Sequence, residues 1–217
     1  MTETPEWPLP PHVQLEDFLP RDEHAELLDW ALANEASFRP AKVINQGETS
    51  LVDRALRVAL TTRNLGTFRG QLERRLRDAL SRLSAGTGTK ADASSIELEL
   101  AAHGDGAHYA AHLDVAYGKD RVPLGAKPGE DRVLSAVYYF YREPKRFAGG
   151  ELRLYRFGSR PKTGPVTEAD YVDVQPHQNS IVAFPSWALH EVRPVSCPGN
   201  AFADHRFALN CWFCRRL

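Results

Sequence analysis

From Ile96 onward the apolar residues of this chain fall two apart, and that spacing excludes most folds. Ile96-Glu97-Leu98-Glu99-Leu100 alternates strictly, and 133–141, 151–155, 171–174, 180–184, 191–195 and 206–213 are short apolar runs set between Gly and Pro. Such runs are strand candidates. Upstream the period is different. Leu65, Phe68, Leu72, Leu76, Leu80 and Leu83 recur every three or four residues and predict a helix with one apolar stripe. Leu27, Leu28, Ala31 and Leu32 predict a second over 21–34, with Pro20 suited to its first turn. Residues 55–60 are a further strand candidate. Many short strands behind two helices predict an α+β protein: a double-stranded β-helix, or jelly roll, with the N-terminal helices packed on one sheet.

The length of 217 residues suffices for one domain with a full core. The expected division is an extended arm over 1–13, rich in proline, a helical support region over 14–88 and a jelly-roll core over 89–217. Residues 116–131, with Gly118, Pro123, Gly125, Pro128 and Gly129, form the longest stretch without a pattern, and a loop of that length is a candidate lid. The net charge of −1 gives no general attraction to nucleic acid or to an anionic membrane. The arginines beside the 65–83 stripe are interrupted by Glu73 and Asp78 and suit a solvated helix face. No apolar run approaches a membrane span, and the N-terminus lacks a basic start followed by an apolar stretch. Three cysteines without such a signal point to a reducing compartment, the cytoplasm. Cys211 and Cys214 stand three apart on a strand, so they should face opposite sides and be buried thiols.

Four clusters carry chemistry. His112 and Asp114, two apart on an extended segment, project to one face. With a second histidine from far downstream they could hold a metal and leave open positions on it. His190 opens a strand after Phe184-Pro185-Ser186-Trp187-Ala188-Leu189. Arg206 opens the last strand and shares a face with Ala208, Asn210 and Trp212. An arginine on an inward, apolar face needs an anionic partner, and a dicarboxylate gripped by its planar fork would serve. Tyr139 could donate its hydroxyl to the same carboxylate. Gly149-Gly150 is compatible with a plain turn, a bulge or a close approach of backbone. His103, His108 and His205 could act around such a site without being ligands. Asp53, Arg54 and Arg57 could reach a substrate or serve as ordinary ion pairs.

Taken in order, His112-Leu113-Asp114, Val137-Tyr138-Tyr139-Phe140, Gly149 to Tyr155, Ser180 to His190 and Arg206 to Trp212 resemble the prolyl 4-hydroxylase-like branch of the Fe(II)/2-oxoglutarate-dependent dioxygenases. The resemblance runs from about Ile96 to the C-terminus and implies the same jelly roll. It implies that His112, Asp114 and His190 bind iron, that Arg206 and Tyr139 hold the distal carboxylate of 2-oxoglutarate, and that Leu152 and Trp212 line the pocket. Such enzymes turn 2-oxoglutarate into succinate and CO2 while hydroxylating a substrate, here a prolyl residue of a peptide or protein or a small molecule, and ascorbate belongs to the implied cofactors. The carboxylate at Asp114 favours hydroxylation over halogenation, for which related enzymes have Gly or Ala. Many relatives carry a Tyr about ten residues before the His-x-Asp, where this chain has Ala102. Nucleic-acid demethylases carry a second Arg soon after the first, whereas the next here is Arg215. The alternatives are a zinc hydrolase on the same three ligands and a non-catalytic 2-oxoglutarate-binding jelly-roll module.

Overall fold

The computed structural model describes residues 8–44, 50–92, 94–117, 123–124, 129–158 and 167–217. Two sheets dominate. The larger has seven strands, in the order Val13–Leu15, Ser180–Pro185, Glu130–Phe140, Arg206–Arg216, Ser95–His103, Leu60–Thr62 and Arg39–Pro40. The smaller has five, in the order Tyr171–Val174, Leu152–Tyr155, His190–Val192, His108–His112 and Arg57–Val58. Every pairing within them is antiparallel.

Alternation along the central strands divides their side chains between two cores. Phe207, Leu209, Cys211 and Phe213 face outward with Leu98, Leu100, Ala136, Tyr138 and Phe140, and pack against the helices. Ala208 faces the other way and joins Val137, Tyr139, Leu152, Leu154, Val182 and Phe184 between the sheets. The helices are α1, Arg21–Ala33, and α2, Phe68–Thr87. Leu72, Leu76 and Leu83 of α2 are at most 1% exposed, and burial of such a side chain stabilises by about 1.5–3 kcal/mol. Gly86 permits the close approach at its end: a Cβ there would meet the Cβ of Val13 at 2.5 Å. The arginine face of α2 is built into ion pairs, Arg69 with Glu73 on its own helix and Arg75 with Glu23 of α1.

The jelly roll with helices on one sheet is therefore present, and several expected details change. The arm ends in a strand, since Val13–Leu15 pairs with Ser180–Pro185. Residues 55–60 do not form one strand: Arg57–Val58 joins the small sheet and Leu60–Thr62 the large one, with Ala59 crossing between. Part of 116–131 is ordered. Ala116–Tyr117 pairs with Pro123–Leu124, and Glu130 and Asp131 begin a long strand; 118–122 and 125–128, the rest of the candidate lid, lie outside the described residues. All three cysteines are free and buried. Cys211 faces the helices, while Cys214 approaches Glu97 on the opposite face.

Asn179, at φ +54, ties α1 to the large sheet. Its side chain accepts from the Leu19 N–H and the Tyr138 hydroxyl and donates to the Leu19 carbonyl. Tyr138 also hydrogen-bonds His24 at 2.7 Å. Asn179→Ala strands these buried groups and should cost about 2–3 kcal/mol of stability, read as a lower urea midpoint. Asn179→Gly relieves the backbone and loses the same bonds, so it should be destabilised as well; a wild-type midpoint in both variants would contradict this role.

Candidate metal and cosubstrate site

His190 pairs directly with His112 across two antiparallel strands of the small sheet, which explains how residues so far apart in sequence converge. Their rings lie 4.2 Å apart between centroids. Asp114 is not on the strand, which ends at His112. It sits two residues beyond, past the exposed Leu113, and its N–H donates to the Ser186 carbonyl at 3.2 Å. Its carboxylate faces both rings, 3.8 Å from His112 Nε2 and 3.6 Å from His190 Nε2. Among the described residues, these three form the group whose ligand atoms lie within 4.8 Å of one another.

The surroundings fix each donor. His112 Nδ1 hydrogen-bonds the Ala110 carbonyl and His190 Nδ1 the Ala188 carbonyl, each at 2.8 Å. A carbonyl only accepts, so Nδ1 donates to it and Nε2 is the nitrogen left to face a metal. Asp114 Oδ2 accepts from the Ser135 hydroxyl at 2.6 Å, and Ser135 meets Ser186 at 2.9 Å. Burial, with His190 opposite, drives the His112 pKa down to about 3. Burial raises that of Asp114, but the two histidines and Ser135 outweigh it and hold it below the usual carboxylate range. Neutral imidazoles and an ionised carboxylate are the protonation states a divalent metal needs, and two histidines with one carboxylate suit non-haem iron.

Arg206, at the start of the central strand of the large sheet, is fully buried. Its Nε donates to the Gly150 carbonyl at 3.1 Å and its Nη1 to His103 Nδ1 at 2.9 Å. Burial, then the charge of Arg206, keeps the His103 pKa well below normal, so His103 is neutral and accepts. Gly150 is a close-approach glycine, at φ +76, and a Cβ would stand 2.9 Å from Arg206 Cδ. The guanidinium lies over the Tyr139 ring, 4.9 Å from its centroid, while the Tyr139 hydroxyl is buried with no hydrogen-bond partner. Among the described residues no carboxylate forms an ion pair with Arg206. A buried cation without its anion beside an unsatisfied hydroxyl is chemistry that fits one carboxylate of a dicarboxylic acid.

Leu152 packs between the sheets beside Tyr139, and Trp212 carries the Arg132 guanidinium over its ring at 4.1 Å. Ala102 faces the helix-side core; the inward side chain at this end of its strand is His103, so the pocket is not simply enlarged by a small residue. Ser135 and Tyr109 were missed in the sequence. The Tyr109 ring stacks on His112 at 3.5 Å, and Arg57, 9% exposed, stands over Tyr109 at 4.8 Å and pairs with Glu99 at 2.7 Å. Arg57 is thus a buried ion pair against the site. His108 hydrogen-bonds the Gly106 carbonyl at 3.0 Å, and His205 lines a separate cavity.

A double-stranded β-helix that brings two histidines and a carboxylate together beside a buried arginine defines an oxygenase scaffold. The sequence profile of the 2OG-Fe(II) oxygenase superfamily matches residues 98–214, and the chain belongs to that superfamily, whose members depend on Fe(II) and 2-oxoglutarate. A stretch of 126 residues is 39% identical to an uncharacterised PKHD-type hydroxylase of Synechocystis sp., covering 58% of this chain and 38% of that protein; the match thus spans well under half of the relative. The fold resembles a Pseudomonas putida prolyl-4-hydroxylase with a TM-score of 0.62 and 23% identity, over 95% of this chain and 94% of that one. It also resembles a Trichoplax adhaerens prolyl hydroxylase solved with a hypoxia inducible factor peptide fragment, with a TM-score of 0.63 and 20% identity over 94% and 83%.

Ser135→Ala removes the hydrogen bond that aims Asp114 and should lower Fe(II) affinity by about 10–100-fold in a competitive chelator titration; unchanged affinity would contradict that role. The metal-free protein should also be pH-sensitive. His103, His112, His24 and His205 all have pKa values lowered by burial, so below about 6.5 the unfolded chain binds more protons than the folded one. Stability is full above that pH and falls toward pH 5. A urea midpoint that is flat or rises over that interval would refute it.

Proposed function

We propose that the chain hydroxylates a prolyl or similar side chain of a peptide or protein: substrate, O2 and 2-oxoglutarate give hydroxylated substrate, succinate and CO2. One oxygen atom enters the substrate and the other the succinate carboxylate. The observation that carries the reading is the buried Arg206, without an ion-pair partner among the described residues, beside the buried Tyr139 hydroxyl that has no hydrogen-bond partner, in a chain that also assembles the His112, Asp114 and His190 cluster. A zinc hydrolase would leave that arginine unexplained.

In this reading His112, Asp114 and His190 hold Fe(II), which when bound supplies the oxygen chemistry. The chain's part is placement. Nε2 of each histidine and one Asp114 oxygen would be the protein donors to the metal, three ligands that would leave it open positions. Arg206 pairs with the distal carboxylate of 2-oxoglutarate, and the Tyr139 hydroxyl donates to it; burial pushes that phenol up to about 12, so it is a donor at every working pH. Neutral His103 and the Gly150 carbonyl hold the guanidinium in its aim. The apolar wall of Val137, Leu152, Val182 and Ala208 excludes water from the cosubstrate. The prolyl hydroxylase neighbours support the peptide as substrate class by fold, and ascorbate belongs in the assay as the proposed auxiliary.

Anaerobic addition of Fe(II) and then 2-oxoglutarate should give a visible metal-to-ligand charge-transfer band. Its absence favours the zinc reading, and a band without succinate release from any peptide, amino acid or metabolite favours a binding module. Arg206→Ala should weaken 2-oxoglutarate by at least about tenfold, the effect of losing a charge-assisted bidentate pair, with Fe(II) affinity nearly intact. Equal cosubstrate affinity in variant and wild type would remove Arg206 from this role.

A further inference from the structure

A cavity of about 180 Å3 opens at the edge of the sandwich, with none of the three clustered ligands in its lining, where the Arg57–Val58 edge of the small sheet meets the Arg39–Pro40 edge of the large one. Its walls are mainly aliphatic, with Val58, Ala59, Leu60 and Ala107 among them. Two buried polar side chains interrupt them, Arg57 at 9% and His205 at 6% exposure, and the exposed Arg54, Asp105 and Asn200 complete the polar lining.

Each of these two carries a buried polar atom with no partner. Arg57 Nη2 is on Glu99 and Nη1 on the Lys42 carbonyl, but its Nε–H has no acceptor. Asn200 Oδ1 accepts from the Asp105 N–H, which fixes the orientation of that amide. His205 Nε2 therefore donates to it, at 3.2 Å, and Nδ1 is left as an acceptor without a donor. An unsatisfied buried polar group costs about 1–3 kcal/mol. At Tyr139 the same kind of orphan marks the proposed place of the cosubstrate; here the residues that carry one orphaned donor and one orphaned acceptor both line one aliphatic hole.

A peptide unit carries one acceptor and one donor, and an aliphatic side chain fills such a hole. We propose that this cavity is a subsite for an aliphatic residue of a peptide substrate, with the backbone beside it accepting from Arg57 and donating to His205. The proposal rests on the oxygenase reading above and narrows its substrate to a chain rather than a free amino acid or small metabolite. Position supports it. Arg57 lies over Tyr109, which lies on His112, so the subsite is two ring contacts from the iron ligands, a span that about two or three extended residues cover.

The test uses the full chain with zinc in place of iron and saturating 2-oxoglutarate, carbon-13 labelled at its alanine methyls. N-acetyl-L-leucine N-methylamide should shift Ala41, Ala59 and Ala107 saturably and leave Ala208, between the sheets, unmoved. The aspartate analogue should bind at least tenfold more weakly. Ala59→Leu, which fills the hole, and His205→Phe, which removes the acceptor, should each weaken the leucine probe at least tenfold; if the first fails to fold, the second decides. No saturable shift, equal binding of the aspartate probe, or undiminished binding in His205→Phe would overturn the proposal and leave the cavity to water. The iron and 2-oxoglutarate charge-transfer band should persist in both variants. Its absence from the wild type would be the failure of the oxygenase reading, which the methyl shifts do not depend on.

Discussion

A buried guanidinium that no described carboxylate meets in an ion pair is the constraint around which this structure is arranged. An isolated charge in an apolar interior is costly, so the fold surrounds Arg206 with whatever neutral acceptors it can supply. It brings the Gly150 carbonyl to Nε, which requires a residue without a side chain at φ +76, and it brings a histidine whose pKa burial has lowered, so that it is neutral and its Nδ1 accepts. It also lays the Tyr139 ring beneath the charge. These contacts reduce the penalty without supplying an anion. The arrangement therefore holds a pocket ready for one, and preorganisation of this kind reduces the cost of ordering the site when the ligand arrives.

The same strand that carries Arg206 also explains why the pocket lies between the sheets and not under the helices. Arg206–Arg216 pairs on both sides in the middle of the large sheet. Its odd-numbered positions, Phe207 to Phe213, are committed to the core beneath α1 and α2. Its even-numbered positions are thereby turned toward the small sheet, where His112 and His190 pair across their strands. A shift of one residue would exchange the faces and place a charge among the helix-side aromatics. The helix-side core thus sets the register, and the register aims the chemistry.

Much of this was legible in the sequence because it depends on periodicity. The opposed faces of Cys211 and Cys214 and the shared face of Arg206 and Ala208 follow from counting by two, whereas the grouping of the His-x-Asp with His190 came from the resemblance in motif order. What was not legible depends on backbone geometry that side-chain pattern does not encode. Residues 55–60 form one apolar run, yet the chain changes sheets at Ala59. Asp114 reaches the metal cluster from a bend held by Ser186, not from the strand itself. Ala102 invited comparison with the tyrosine of relatives, but cross-strand register gives the inward place at the strand end to His103. Ser135 gave no signal at all, since a lone serine within an apolar strand is common and only contact with Asp114 distinguishes it.

The change of sheet at Ala59 joins the N-terminal region to the site. Because Arg57 precedes the crossing, it is carried on the edge of the small sheet, in register with Tyr109; a continuous strand would have left it elsewhere. There its charge is neutralised by Glu99 from the large sheet, so one ion pair spans the sandwich at its open end while the guanidinium presses Tyr109 onto His112. Exposed pairs of this kind contribute little, but this one is about nine-tenths buried on both partners, and removal of Glu99 would leave the Arg57 charge desolvated. The plane of the His112 imidazole is thus set from its own strand by the Ala110 carbonyl and from its face by a ring that the N-terminal region holds down. The segment before Ile96 is part of the site's geometry as well as support for the sheet.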